Sequence, residues 1–225
     1  QWRNGNKTGE QGRNENHRMY ALQSHSPDPA GPYLLKGKLA APNADRWAID
    51  GALIDVEEPL GGGRKLYFVW SGWEGQHNGM QRLYIAPMSD PWTLSGERIE
   101  ISRPDAPWER RSGPHPCYVN EGPAVAVRAG KVILAFSANG FWSDHYCVGL
   151  LSCNIENLLD PAAWTKSDAP AFSATDHLFG PGHNCFVHAD NDSPDAGWWI
   201  VYHAVRRPNR HGKGRELFAQ PFHWT

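Results

Sequence analysis

The apolar residues of this chain are gathered in short β-branched and aromatic runs that recur at a constant spacing. The three strongest runs begin at Leu66, Val132 and Trp198, so consecutive starts lie 66 residues apart. Ahead of each run is a segment in which a polar residue adjoins glycine, at 47–51, 119–123 and 180–184. Behind the first two is a further apolar segment, at 82–86 and 146–151. Short runs of this composition predict β-strands.

Each unit ends in an Asp-Pro pair. Because aspartate and proline both favour turns, these pairs predict a turn at the end of each unit. The pairs are Asp28-Pro29, Asp90-Pro91 and Asp160-Pro161, and a fourth strand is predicted after the second pair, over 97–102. Four antiparallel strands per unit, with no convincing helix between them, predict the blade of a β-propeller. A β-sandwich does not repeat at this spacing, and the turns of a β-helix are much shorter.

The chain is too short for a closed ring of such units. Its 225 residues hold about 3.4 repeats, and the first repeat is visible only from its third strand, 17–22. Closed propellers usually have at least four blades. We therefore predict that residues 1–225 form a single domain that holds part of a propeller and lacks more than one blade on its N-terminal side.

Composition disfavours several classes of partner and cofactor. The formal net charge is −2 and the pI is about 6.6, so no basic surface for nucleic acid is expected. No apolar run approaches the roughly 20 residues that span a bilayer, so no membrane partner is expected. The four cysteines show no Cys-x-x-Cys pairing, which argues against zinc. The 11 tryptophans are common in all-β proteins and in proteins that stack sugars.

Glu121 is the acid that most strongly suggests chemistry. It stands in the opening of an apolar strand, directly before a Gly-Pro break. Strand alternation places it on the face shared by Val119 and Pro123, pointing into an enclosed space. Burial raises the pKa of a carboxyl group, which suits a general acid. A structural glutamate paired with an arginine or a backbone amide fits the same pattern.

Three polar residues occupy equivalent positions in the leading strands of consecutive units. In a propeller the innermost strands line a central channel, so Asp50, Glu121 and His183 are predicted to converge there. Two carboxylates and an imidazole suit a glycosidase, in which one acid protonates the leaving oxygen. They equally suit a calcium or water cluster that plugs the channel.

The sequences of these motifs resemble those of glycoside hydrolase family 43, and within it those of the extracellular α-L-arabinofuranosidases. The resemblance covers the chain from about His17, and its most specific part is the pair Asn-Glu-Gly-Pro and Gly-Pro-Gly-His-Asn at this separation. The matching segments are 46–51, 67–73, 83–88, 119–123, 158–166, 180–184 and 219–222.

The resemblance implies a five-bladed β-propeller, of which about three and a half blades are present, and an inverting mechanism that uses three acids. By the matching motifs, Glu121 is the general acid, and Asp50 tunes its pKa and orients the site. His183 lies near the channel axis, where some members hold calcium. The general base of the family is an aspartate near the start of the first blade, and no residue here matches it. Asp28 and Asp45 lie in loop-like segments and are poor candidates for the base.

Substrate contacts are expected from aromatic residues near strand ends and from one arginine. The candidates for stacking on a furanose ring are Trp47, Trp70, Trp73, Phe141 and Trp142, and we expect one or two of these rings to do so and the rest to be core. Arg215 lies where family members often place a substrate-contacting arginine, and a surface ion pair is its alternative.

The sequence therefore predicts a secreted glycosidase that releases L-arabinofuranosyl units from plant arabinan or arabinoxylan. Its partners are the plant polysaccharide or an arabino-oligosaccharide, and the complete protein is expected to be a monomer. No cofactor is required, and structural calcium is an option. The isolated chain is expected to be inactive. The alternatives are a β-xylosidase or endo-arabinanase of the same fold, or a carbohydrate-binding propeller without turnover.

Overall fold

The structure is a computed structural model that describes residues 16–57, 63–111, 118–189, 197–210 and 212–224. These residues are built from β-strands joined by turns and by one-turn 3₁₀ segments at Pro107–Glu109, Ile155–Asn157 and Pro161–Ala163. Within them, no helix has the length and apolar character needed to cross a membrane. The strands are β1 Met19–Ser24, β2 Tyr33–Leu39, β3 Ala48–Glu57, β4 Arg64–Trp73, β5 Gln81–Asp90, β6 Thr93–Leu94, β7 Ile99–Ser102, β8 Asn120–Arg128, β9 Lys131–Ala138, β10 Cys147–Asn154, β11 Thr165–Lys166, β12 Phe179–His188, β13 Trp198–Val205 and β14 Glu216–Pro221.

The strands form antiparallel sheets in which consecutive strands pair with each other, except that β6 and β7 both pair with β5. The first sheet pairs β1 with β2, and the second has the order β3-β4-β5-β6, with β7 also pairing with β5. The third sheet has the order β8-β9-β10-β11, and the fourth β12-β13-β14. The three predicted apolar runs are confirmed as β4, β9 and β13, each the second strand of its sheet. The predicted strand at 97–102 is β7, and the one at 17–22 is β1.

The main core lies between the second and third sheets. Val69, Leu83 and Ile85 of the second sheet join Leu134 and Phe136 of the third in one buried cluster. Most of β9 is buried, because the strand has protein on both of its faces. A strand buried on both faces carries a continuous apolar run rather than an alternating one. This burial explains the continuous apolar run of β9, and residues 67–73 of β4 are buried in the same way.

The Asp-Pro corners share one local hydrogen bond. In each corner the aspartate Oδ1 accepts a hydrogen bond from the backbone N–H two residues further on, and the proline follows directly in the turn. The bonds join Ala30 to Asp28 (2.8 Å), Trp92 to Asp90 (3.0 Å) and Ala162 to Asp160 (2.9 Å). The corner therefore depends on the side chain of the aspartate as well as on the proline ring.

Candidate active site

A bulge interrupts the opening of the first strand in the second, third and fourth sheets. In β3 it lies between Ile49 and Ala52, where Asp50 has φ 56°. In β8 it follows Glu121, where Gly122 has φ 58°. In β12 it contains His183, with φ 49°. A β-bulge bends its strand and re-aims the adjoining side chains, so these three bulges set the directions of the three predicted site residues.

The bulge in β8 begins directly after Glu121, so strict alternation does not extend from Glu121 to Pro123. Asn120 is fully buried, and Glu121 is 8% exposed. The opening of β8 is enclosed because β8 contacts both β3 and β12. The prediction that Glu121 is enclosed is therefore confirmed.

Glu121 is a buried carboxyl with one strong hydrogen-bond donor. Its Oε1 accepts a hydrogen bond of 2.7 Å from the hydroxyl of Tyr146. Burial raises the pKa of Glu121 to about 7, the bond from Tyr146 opposes that rise, the charge of Asp50 adds to it, and the charge of Arg215 opposes it. A carboxylic acid with a pKa near neutrality can hold a proton and release it to a leaving group.

Asp50 contacts the main chain beside the acid. Its Oδ2 accepts a hydrogen bond of 3.1 Å from the backbone N–H of Gly122, and its Oδ1 lies 4.0 Å from Nε2 of His183. Burial raises the pKa of Asp50, while the charge of His183 and the Gly122 N–H favour the carboxylate. The structure thus brings together Asp50, Glu121 and His183, as the sequence predicted.

Gly122 is required where the strands meet. Its φ is positive, and a Cβ atom there would lie 3.2 Å from the ring of His183. A larger residue would therefore displace the imidazole or strain the bulge. The Gly-Pro break after Glu121 is explained by this close approach.

The described residues around His183 do not form an oxygen cage of the kind that calcium prefers. Within the described ranges, no three His, Cys, Asp or Glu side chains are grouped so as to hold a metal ion.

Tyr146 and Ser137 are functional candidates that the sequence did not reveal. Both side chains are fully buried. A Cβ atom on Gly182 would lie 2.3 Å from the Tyr146 ring, so the tyrosine fills space that only glycine leaves. The backbone N–H of His183 donates to Ser137 Oγ at 2.6 Å. A buried tyrosine or serine in an apolar strand resembles core, and no local motif marks either one.

Arg215 lies beside the acid and holds an aromatic ring. Its guanidinium packs over Phe141 at 4.4 Å, and Nη2 donates to the Phe141 carbonyl at 2.9 Å. Phe141 is 47% exposed, so it presents an open ring at this end of the site. Arg215 is not the surface ion pair considered as its alternative, because its contacts are His203, Phe141 and Tyr146.

His203 is a half-buried neighbour of the site that the spacing of the histidines in the sequence did not indicate. Burial and the charges of Arg215 and His183 lower its pKa to about 4. It is therefore neutral near pH 7. Its ring stacks on Tyr146 with centroids 5.7 Å apart and planes inclined by 2°.

Three of the tryptophans proposed for sugar stacking lie in the packed interior. Trp47 is 3% exposed, Trp70 is 4% exposed and packs against Phe68 and Tyr84, and Trp73 is 1% exposed and stacks on Trp47 at 4.7 Å. None of the three presents an open face. The exposed rings of the predicted set are Phe141 and Trp142, at 47% and 38%.

Asp28 and Asp45 have structural partners, in agreement with the prediction that they are poor bases. Asp28 caps its own turn. Asp45 pairs with Arg18 at 2.5 Å and also with Lys38. Partial burial acts to raise the pKa of Asp45, but hydrogen bonds from Lys38 and Arg18 outweigh it, and the pKa is lowered.

A buried acid of raised pKa beside a second carboxyl, carried on bulged strands of consecutive antiparallel sheets, is a pair of groups of the kind that glycosidases use. The chain belongs to glycosyl hydrolases family 43, whose sequence profile matches residues 7–225.

Individual relatives agree with this assignment. The chain is 34% identical over 209 residues to "Alpha-L-arabinofuranosidase 43" of Humicola insolens, covering 83% of this chain and 41% of that protein. It is 36% identical over 190 residues to the extracellular exo-α-(1→5)-L-arabinofuranosidase of Streptomyces avermitilis, covering 83% of this chain and 36% of that protein.

The crystal structure of an α-L-arabinofuranosidase from Lactobacillus brevis has a TM-score of 0.76 to this chain at 32% identity. The match covers 92% of this chain and 63% of that one. The chain therefore spans about two fifths of these two curated relatives and less than two thirds of the solved structure.

Proposed function

We propose that the complete protein is an inverting glycoside hydrolase that releases L-arabinofuranosyl units from plant arabinan or arabinoxylan, with Glu121 as its general acid. The observation that carries the proposal is the state of Glu121, a buried carboxyl whose pKa is raised to about 7 next to Asp50. Such an acid is protonated at slightly acidic pH and lies where charge develops on a leaving oxygen.

In this mechanism Glu121 donates its proton to the glycosidic oxygen as the bond breaks. Asp50 remains beside it, raises the pKa of the acid and holds the backbone of Gly122. Inversion needs a second carboxylate across the sugar, roughly 6.5–9.5 Å from the first, to activate water. We assign that base to a strand outside this chain, since Asp28 and Asp45 are committed to structural partners.

The four sheets support a partial ring in a single domain. We interpret β3–β7 and β8–β11 as complete blades, β12–β14 as a three-stranded blade and β1–β2 as the outer half of another. Five blades at the 66-residue spacing require about 100 residues more than this chain holds. The proposal places them, with the base, ahead of β1.

Substrate and location are proposed from the relatives and from the exposed end of the site. The Streptomyces relative is named extracellular and exo-acting on α-(1→5)-linked arabinofuranosides, and we propose the same location and substrate class here. Phe141 and Arg215 would contact the sugar, because they form the exposed aromatic and cationic edge next to Glu121. His183 would line the same channel.

The test compares hydrolysis by the full-length protein and by residues 1–225 alone. We expect the full-length protein to release arabinose from arabino-oligosaccharides, with inversion seen by NMR of the first-formed anomer, and the 225-residue chain to show no appreciable turnover. Equal activity in both would mean that the base lies within this chain. Release of xylose instead would assign the protein to the β-xylosidases, and binding without turnover would make it a carbohydrate-binding propeller.

A further inference from the structure

The hydrogen bonds around Glu121 have a fixed direction, and that direction begins at a backbone amide. The N–H of His183 donates to Ser137 Oγ at 2.6 Å. A backbone N–H can only donate, so Ser137 accepts at this contact and keeps its own hydrogen for another partner. The amide belongs to the fourth sheet and the serine to the third, so the bond joins the two sheets.

In the second link, Ser137 lies next to Tyr146. A Cβ atom on Gly182 would lie 2.3 Å from the Tyr146 ring and 3.0 Å from Ser137 Oγ, so both side chains border the same space. Burial raises the pKa of Tyr146 well above its usual value, and Ser137 opposes that rise. A hydroxyl group carries one hydrogen, and the Tyr146 hydroxyl has one to give.

The third link ends on the acid. Tyr146 donates that hydrogen to Glu121 Oε1 at 2.7 Å. The phenol cannot turn away easily, because its ring is fully buried, packed against Gly182 and stacked on His203. Oε1 is thus occupied as an acceptor, and a proton on Glu121 has only the other oxygen, Oε2, on which to reside.

We propose that Tyr146, oriented by Ser137, is a positioning residue that confines the acidic proton of Glu121 to Oε2. This inference rests on the proposed function in one respect, namely that Glu121 delivers this proton to a leaving group. We call the series of contacts from His183 through Ser137 and Tyr146 to Glu121 the relay. Without it, the proton of Glu121 divides between the two carboxyl oxygens, and a proton on Oε1 points into the protein. The relay keeps the acid ready to deliver its proton without first rotating the carboxyl group.

The first experiment measures the pKa of Glu121 directly, in the full-length protein. Carbon-13 NMR of the labelled glutamate carboxyls gives the titration, and Glu121→Gln identifies the resonance. Tyr146→Phe removes the donor to Oε1, so the Glu121 pKa should rise by about one unit. Ser137→Ala should raise the Glu121 pKa less, because Tyr146 still donates to Glu121 but no longer has the Ser137 hydroxyl beside it to polarise its own hydroxyl.

The charged groups that act on Glu121 are Asp50 on β3 and Arg215 before β14, and both are kept in these variants. Tyr202→Phe is the matched control. Tyr202 is a buried tyrosine in β13 whose hydroxyl bonds to Gln220 Oε1 at 3.0 Å, remote from the acid. This control should leave the Glu121 pKa unchanged.

The second experiment measures rates. In Tyr146→Phe the alkaline limb of the pH–rate profile should move upward with the pKa. Turnover of substrates with poor leaving groups should fall roughly tenfold, while activated aryl glycosides fall less. If Tyr146 were purely structural, Tyr146→Phe would lower the turnover of both substrate classes alike and leave the alkaline limb of the pH–rate profile in place.

The outcomes separate the relay from the function. An unmoved or lowered Glu121 pKa in Tyr146→Phe overturns the relay even if the wild type hydrolyses arabinofuranosides. If Tyr146→Phe does not fold, an unmoved pKa in Ser137→Ala overturns it instead. A raised pKa in a protein without glycosidase activity would support the relay and refute the proposed function.

Discussion

Two buried glutamates, Glu109 and Glu121, lie 12 positions apart in the chain and have opposite surroundings. Glu109 is fully buried and accepts hydrogen bonds from the backbone N–H groups of Asp105 and Ala106, at 3.0 and 2.8 Å. Its oxygens also contact Nζ of Lys166, at 3.2 Å each, and Nδ2 of Asn120 at 2.9 Å.

Glu121 has no comparable set of donors among the contacts that the structure shows. Tyr146 is its side-chain donor, and its carboxylate neighbour, Asp50, opposes ionisation. Burial alone therefore does not make a general acid. What distinguishes the two residues is their partners. Glu109 accepts hydrogen bonds from several N–H groups and pairs with a cation, whereas Glu121 has one hydroxyl donor and a carboxyl neighbour, and its pKa is raised.

The largest expected effect is on turnover in Glu121→Gln. Glutamine cannot donate the proton, so turnover of the full-length protein on substrates with poor leaving groups should fall by roughly 10²-fold or more. Activated aryl arabinofuranosides should be affected less. Steady-state kinetics on both substrate classes check this, and equal losses, or none, would remove Glu121 from the role of acid.

Glu109→Gln should act on stability rather than on chemistry. Removing one partner of a buried ion pair lowers the free energy of unfolding by about 3–5 kcal/mol. We expect the lower end of this range because Lys166 still pairs with Asp105, at 2.8 Å. Urea unfolding of the full-length protein measures it. Glu216→Gln is the matched control, since it breaks an exposed pair with Arg206 and should cost less than about 1 kcal/mol.

Stability should also depend on pH through Glu121. Its folded pKa of about 7 lies above the ordinary value of 4.5, so its contribution is fully present below pH 4.5 and is lost as pH rises to about 7. Glutamine does not titrate, so Glu121→Gln does not lose this contribution as pH rises. The free energy of unfolding of the variant, relative to that of the wild type, should therefore increase by roughly 3 kcal/mol between about pH 4 and pH 8. Denaturant unfolding at both pH values tests this, and a constant difference would contradict a raised pKa.

The smallest expected effect is that of Asp50→Asn on the pH–rate profile. The charge of Asp50 raises the pKa of Glu121, so its removal should move the alkaline limb downward. Burial is the larger cause and remains, so the shift should be less than about one unit. Asparagine tolerates the positive φ of residue 50, which makes it the suitable replacement.

The control for this experiment is Asp55→Asn, on the same strand but paired with Arg64 at the surface. It should leave the limb in place. An unmoved limb in Asp50→Asn, with normal activity, would give Asp50 a structural role.

The sheets were more predictable than the site because their signals are local. The runs at β4 and β9 are continuous because most of each strand is buried, and the Asp-Pro pairs form a bond within three residues. Asp50, Glu121 and His183 could be placed together because each opens an equivalent strand.

Ser137 was hidden by the bulge that serves the site. β8 and β9 are joined by a two-residue turn, Ala129-Gly130, with positive φ at both positions. Counting outward from that turn pairs Glu121 with Ala138, but the bulge moves the pairing to Ser137. Tyr146 and Glu109 depend on contacts 25 and 57 residues away in the chain, which no local pattern contains.

The position of the bulges has a consequence for how this protein could change its substrate. Asp50, Glu121 and His183 are carried within strands, whereas Phe141 lies between β9 and β10 and Arg215 directly before β14. Connecting segments accept substitutions and insertions that sheet ladders do not. Specificity can therefore evolve, or be engineered, in the two connections while the proton-transfer machinery stays unchanged in the sheets.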